Sequence, residues 1–193
     1  DFDGGRLIVR EMADLLSLDL VDKGLVTDQI VLTVGYDIEN LTDAARRGGY
    51  KGNVTTDAYG RQVPAPSHGS INLDRFTSSS RIIVQAVAEL ADRLVDGKLL
   101  VRRLNVAANH VVPHAQAKTR EPAERQLDLF VDQEAEQTRK ERETATLAKE
   151  RRMQQALLDI RAKLGKNAIL RGMNLADGAT AKERNAQIGG HKA

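Results

Sequence analysis

The chain has 193 residues, 41% of them hydrophobic but only 3% aromatic, too little bulky apolar material for one core along its whole length. A formal net charge of +2 excludes a polycation, so any nucleic-acid affinity needs a local face. The lack of cysteine excludes disulfides and thiolate metal sites and fits a reducing cytoplasm, and no apolar run is long enough to cross a membrane.

Charge is uneven along the sequence, with three basic against nine acidic side chains over residues 1–39, six against three over 40–81, and seven against two over 161–193. The start at Asp1 without Met or a basic-then-apolar leader is expected to mark a piece of a longer protein. Asp1 and Asp3 lack a third acidic partner and read as solvated, not as a metal pair. His68, His110, His114 and His191 are scattered, with no second ligand at helical spacing.

From Arg6 to Lys23, Ile8, Met12, Leu15, Leu16 and Leu20 recur three and four apart with Arg10, Glu11, Asp14 and Asp22 between them, which predicts an amphipathic helix closed by Gly24. Residues Thr27 to Tyr36 alternate, with Ile30, Leu32, Val34 and Tyr36 facing one way, and predict a strand with one buried face. A long polar connection to Gly69, broken by Pro64 and Pro66, reads as a loop or irregular hairpin with Val54 and Val63 as a candidate pair. Strand alternation resumes over Ile71 to Phe76.

Thr77-Ser78-Ser79-Ser80 offers hydroxyl caps to a second amphipathic helix striped by Ile83, Val87, Leu90 and Leu94 and ending near Asp96-Gly97. Leu99 to Val112 predicts the longest strand, with Leu104, Val106 and Ala108 on a dry face and Arg103, Asn105 and Asn109 on a polar one. The order helix, strand, strand, helix, strand is that of an α+β fold: a small split βαβ-type sheet, lacking its first strand, with two helices on one face. Residues 1–113 form this domain, 114–133 a flexible linker, and 134–193 a charged helical C-terminal extension.

The linker carries Gln126, Leu127, Asp128, Leu129 and Phe130, a short apolar segment among charged residues that reads as something a partner buries. Residues 134 to 152 are good helix formers with little apolar face, so that helix is expected to stand in solvent. Met153, Leu157, Ile160 and Leu164 then form a stripe stopped by Gly165, and Thr180 and Glu183 have capping-box spacing. No GxGxxG, Walker-type or nucleophile-elbow pattern occurs.

The pentapeptide QLDLF resembles the motif by which bacterial DNA polymerases and repair proteins dock on the sliding clamp. The blocks LIVREMADLLSLDLVDKGLVTDQIVLTVGYD, TSSSRIIVQAVAELADRLVD with LLVRRLNVAANHVV, QLDLF, and KNAILRGMNLADGATAKERNAQIGGHKA together resemble the C-terminal part of a bacterial Y-family translesion DNA polymerase, in the branch of DNA polymerase IV and UmuC. The resemblance implies a little finger domain that grips primer-template DNA, a clamp-binding tail, and contacts with the polymerase's own catalytic domains. It places the catalytic palm, with the carboxylates that hold magnesium, upstream of this sequence, so the parent is a DNA-directed DNA polymerase while this piece is expected not to polymerise and to need no cofactor of its own. One strand expected before the first helix is also missing.

Phosphate grip needs cations and hydrogen-bond donors along a face, and Arg75, Thr77, Ser78, Ser79 and Arg81 supply them where the second helix begins. Arg102, Arg103 and Asn105 extend that track along the last strand, with Arg102 reaching around the edge, and Arg46, Arg47, Lys51 and Arg61 of the long connection complete the candidate DNA-binding set. Ordinary solvated charges and caps are the competing explanation for each. A protein-protein adaptor tethered to the clamp without direct DNA contact is the alternative function, and a self-contained enzyme has no nucleophile-base pair or carboxylate cluster to support it.

Overall fold

In the computed structural model, residues 2–117, 133–188 and 191–192 are described, with side chains over 4–117 and 137–187. Helix α1 (Phe2–Asp22) leads through Gly24, at φ +66°, into β1 (Leu25–Tyr36). Gly24 N donates to Val21 O and Lys23 N to Asp19 O, closing the helix at the left-handed glycine that its sequence predicts.

Two short helices follow, α2 (Glu39–Thr42) and α3 (Ala44–Arg47), then a hairpin of β2 (Val54–Thr56) and β3 (Gln62–Pro64). The long connection is therefore structured, and its hairpin pairs Val54 with Pro64 and Thr55 with Val63, one residue away from the expected Val54 and Val63 pair. Buried Asn40 staples the connection to the sheet, because its Nδ2 donates to the carbonyls of Asp37 and Leu100 while its Oδ1 accepts from Leu100 N.

Strand β4 (Ser67–Thr77), helix α4 (Ser80–Leu94) and strand β5 (Val101–Asn109) complete the sheet, in the order β4-β1-β5 with β1 antiparallel to both neighbours. Strands β4 and β5 thus run parallel, joined by α4 across an intervening β1, which is the split βαβ arrangement. Both remain edges among the described residues. A break at His110, whose φ is 50°, separates β5 from β6 (Val112–Pro113), which pairs with the start of β1. The predicted single strand to Val112 is therefore two. A one-turn helix, α5 (His114–Ala117), follows.

Both α1 and α4 cover one face of the sheet. Ile30, Leu32, Val34, Ile83 and Val87 are fully buried together with Val9, Ala13, Leu20, Tyr36, Leu90 and Ala91. Each large aliphatic side chain here contributes about 1.5–3 kcal/mol by leaving water. The alternation in β1 and the three-and-four spacing in α4 therefore place these residues as expected. The first helix differs, since Glu11, Asp14 and Ser17 are buried although their spacing puts them off the apolar stripe.

The C-terminal elements meet Glu11 and Asp14, while Ser17 hydrogen-bonds to Ser80 of α4. Helix α6 is one continuous rod, Gln133–Leu164, followed by a 3-10 turn at Gly172–Leu175, α7 (Ala181–Asn185) and a short hairpin of β7 (Gln187–Ile188) and β8 (His191–Lys192). Residues 137–142 are exposed, but from Glu143 one side of the rod lies against the rest of the protein, where the sequence predicts a helix wholly in solvent up to residue 152. Its docked face is Glu143, Leu147, Glu150, Gln154, Leu158 and Arg161, whereas Met153 and Leu164 of the predicted stripe are 60% and 74% exposed. The contact is mixed, polar at Glu143, Glu150, Gln154 and Arg161 and apolar at Leu147 and Leu158, and Leu157 and Ile160 of the predicted stripe are also partly buried.

Candidate nucleic-acid interface

The face of the sheet that no helix covers is built by the outward-pointing residues of three strands. Register places Asn72, Gln29 and Asn109 in one row, Ser70, Val31 and Ala107 in the next, His68, Thr33 and Asn105 in the third, and Arg103 beside Gly35 at the end. Gly35 leaves room there, since a Cβ added to it would stand 3.4 Å from that of Arg103. The rows are tied across the strands. Asn109 Nδ2 donates to Gln29 Oε1 at 3.0 Å, Gln29 Nε2 donates to Asn72 Oδ1 at 2.7 Å, and Thr33 Oγ1 shares a hydrogen bond with His68 Nδ1 at 2.8 Å. This network fixes amides and hydroxyls on a surface that a phosphate backbone can approach.

Sequence reasoning placed Arg103, Asn105 and Asn109 on this face, and it missed Gln29, His68 and Asn72. The signal for those three was available in the polar half of the alternation in β1 and β4.

The remaining candidates scatter. Arg46 and Arg47 sit on α3, exposed, and Lys51 follows them. Arg47 lines an open cleft with Ile38, Leu41, Tyr50, Val54 and Arg61. Arg61 is committed to its own hairpin, where its guanidinium lies 2.7 Å from Asp57 and 5.0 Å over the ring of Tyr59. That hydrogen-bonded pairing raises Arg61 further above its ordinary value and holds Asp57 low. Arg102 occupies an irregularity in the β5 register and pairs with Asp37 at 3.1 Å. Asp37 is held below the usual carboxylate range first by the backbone amide of Glu39 and then, against some burial, by Arg102.

At the start of α4 the expected phosphate grip is already engaged. Ser79 is the N-cap, and its Oγ accepts from Ile82 N and donates to Glu150 Oε2 at 2.6 Å. Glu150 Oε1 accepts from Arg81 N at 2.9 Å, and Thr77 Oγ1 accepts from Ser79 N. Gln154 Nε2 donates to Ser78 O and Ser80 Oγ, both at 3.0 Å, and Arg75 pairs with Glu143 at 3.0 Å. Thr77, Ser78, Ser79 and Ser80 are consequently buried, while the Arg81 side chain stays exposed.

The far end of the tail is held the same way. Glu11 of α1 accepts from Asn174 Nδ2 at 2.9 Å, from the backbone and hydroxyl of Thr180 at 2.9 and 3.1 Å, and from Arg184 at 3.2 Å. Glu183 therefore forms no capping box with Thr180, because Glu11 meets the α7 N-terminus from another helix. Burial alone would push Glu11 up, but the Asn174 amide, the backbone amides of Thr180 and Ala181 and the Thr180 hydroxyl outweigh it and hold the carboxyl below its ordinary value. Asp14 lies 2.9 Å from Arg171, yet burial, abetted by Glu150, raises it despite Arg171, Ser80 and Arg161.

The pentapeptide Gln126, Leu127, Asp128, Leu129 and Phe130 lies outside the described residues. Among the described residues no group of three or more His, Asp or Glu is placed to hold a metal ion, and no helix is long and apolar enough to cross a membrane. No curated protein and no solved structure matches the chain. The impB/mucB/samB family C-terminal domain matches residues 1–129, two-thirds of the sequence and all of the sheet with its two covering helices. The chain therefore belongs to that family and carries the C-terminal domain of a Y-family DNA polymerase.

Proposed function

We propose that this chain is the DNA-gripping and clamp-docking part of a translesion polymerase of the DNA polymerase IV and UmuC branch. In this reading residues 1–113 hold primer-template DNA, 114–133 carry the clamp peptide, and 134–193 are an accessory extension. The observation that carries it is the family match over residues 1–129 on a sheet with one face dry and the other an uncovered array of amides, hydroxyls and Arg103. Such a face offers donors to phosphate oxygens without presenting a base code, as suits a polymerase that must follow damaged templates.

Arg103 supplies the cation of the sheet face, and Arg46, Arg47 and Lys51 extend positive charge beyond it from the long connection. Binding is then dominated by counterion release and weakens steeply with salt. The test is a salt titration of primer-template affinity. Arg103→Ala is expected to lower affinity and reduce the log-log salt slope by about 1, and a wild-type chain with no salt-dependent DNA binding overturns the reading.

Clamp docking rests on the sequence of residues 126–130. Burying Leu129, Phe130 and part of Leu127 yields about 5 kcal/mol, from which ordering the segment takes a large share, so micromolar affinity is expected. Avidity supplies the rest, because a clamp on the same duplex raises the effective concentration of the peptide. Leu129→Ala combined with Phe130→Ala should abolish capture on an immobilised clamp without changing DNA affinity. Undiminished capture contradicts the assignment.

One observation favours the adaptor reading: the hydroxyls at the start of α4 are buried under α6 and so are closed to DNA in this arrangement. The salt titration separates the two, since an adaptor shows no slope.

A further inference from the structure

We infer that α6 is an autoinhibitory clasp, whose carboxylates occupy the phosphate-binding groups at the start of α4 and yield them when DNA arrives. The inference rests on the DNA-gripping reading and adds its regulation. A helix N-terminus with exposed amides, a hydroxyl cap and two nearby arginines attracts anions. Here the anion is already present and belongs to the chain itself. Glu150 takes one donor from the Ser79 hydroxyl and one from the Arg81 amide, and Glu143, two helical turns earlier, takes Arg75. Two carboxylates on one face of one helix thus engage a hydroxyl, an amide and a guanidinium, the same donor set that a pair of successive phosphates would use.

The contact is built to separate. Its docked stripe sets Glu143, Glu150, Gln154 and Arg161, groups that water solvates well once released, beside half-buried Leu147 and Leu158, so opening it exposes less apolar area than opening the fully buried sheet core. The first part of the same rod, residues 137–142, is exposed and mixes both charge signs. DNA offers a higher charge density than two carboxylates, and its binding to Arg75, Ser79 and Arg81 competes directly with the clasp. Exchange of one anion for another also makes the unliganded chain less sticky towards nucleic acid than its bare α4 terminus would be.

Two measurements on the full chain test this. Glu143→Gln with Glu150→Gln keeps the side-chain shape and removes the competing charges. It is expected to raise primer-template affinity about 3- to 10-fold and to steepen the log-log salt slope by about 1, the effect of one further phosphate contact. Adding Arg75→Ala to that variant should cancel most of the gain. The second needs no variant: saturating primer-template should speed amide hydrogen exchange over residues 143–161 of the wild-type chain while residues 30–34 stay protected. Unchanged or lower affinity in the double variant, or slower exchange in α6 on DNA addition, overturns the clasp. If the wild type binds DNA with a slope that Arg103→Ala reduces, such a result removes the clasp alone; if neither protein binds DNA, the DNA-gripping reading falls and the clasp with it.

Discussion

Two joints hold this molecule together, and they are made of different materials. Between the helices and the sheet, Ile30, Leu32, Val34, Ile83 and Val87 meet without a polar atom among their side chains. Between the tail and those same helices, Glu11, Asp14, Ser79, Glu150, Gln154 and Asn174 meet through hydrogen bonds and charge. The first joint is strong because opening it exposes apolar area to water. The second is specific but nearly balanced, because each group gives up solvation for its partner. What separates them is therefore the response to salt and pH more than their geometry.

The largest expected effect breaks the apolar joint. Leu32 is fully buried, and Leu32→Ala should cost about 2–5 kcal/mol of global stability, read as a fall in the urea midpoint with an unchanged slope. A midpoint within experimental scatter of wild type means that the core is not where the contacts put it. Breaking the polar joint comes next. Glu11→Ala leaves Asn174, Thr180 and Arg184 without their shared acceptor and should cost about 2–4 kcal/mol of tail docking. Proteolysis should then attack residues 165–187 while the sheet survives, and equal sensitivity of both regions would deny that the joints are separable.

Acid sharpens the contrast further. Glu11 is depressed when docked, so its contribution is present above its ordinary value of 4.5 and is lost as pH falls through that value towards the depressed one. Asp14 is raised, so it works in the opposite sense: docking gains as pH falls towards its ordinary 3.8 from above. The prediction is that Glu11→Gln removes the acid-induced loss of tail protection and leaves a residual trend of Asp14's sign, measured by exchange between pH 3.5 and 6. The smallest effect lies outside either joint. Gly24 has φ +66° with open space around it, so Gly24→Ala costs backbone strain alone, about 1 kcal/mol by thermal unfolding.

The difference between the joints also decides what was legible beforehand. Periodicity senses apolar residues, so it located β1, α4 and the dry side of β5 and stacked both helices on one face. It was blind to Glu11 and Asp14, which look like solvent-facing charges in α1 until Thr180 and Arg171 arrive from more than 150 residues away. For the same reason its stripe of Met153, Leu157, Ile160 and Leu164 was only half right, since Leu157 and Ile160 are partly buried but Met153 and Leu164 are exposed, and it gave no hint that Glu150 and Gln154 pack against the start of α4. A polar residue repeated three and four apart is compatible with either solvent or a polar partner, and only the partner decides. The hydroxyl run at 77–80 supplies the cap expected of it, through Ser79, and the anion that Ser79 meets in this arrangement is a carboxylate of the same chain.

Native-state hydrogen exchange in rising urea tests the separation most directly. Amides of residues 147–161 should exchange through a sub-global opening whose free energy lies several kcal/mol below that of residues 30–34 and 83–91 and falls as salt is added, while the core amides exchange only through global unfolding. If tail and core amides share one opening free energy and one salt response, the two joints are a single cooperative unit and the account of a reversible polar clasp on a rigid apolar core is wrong.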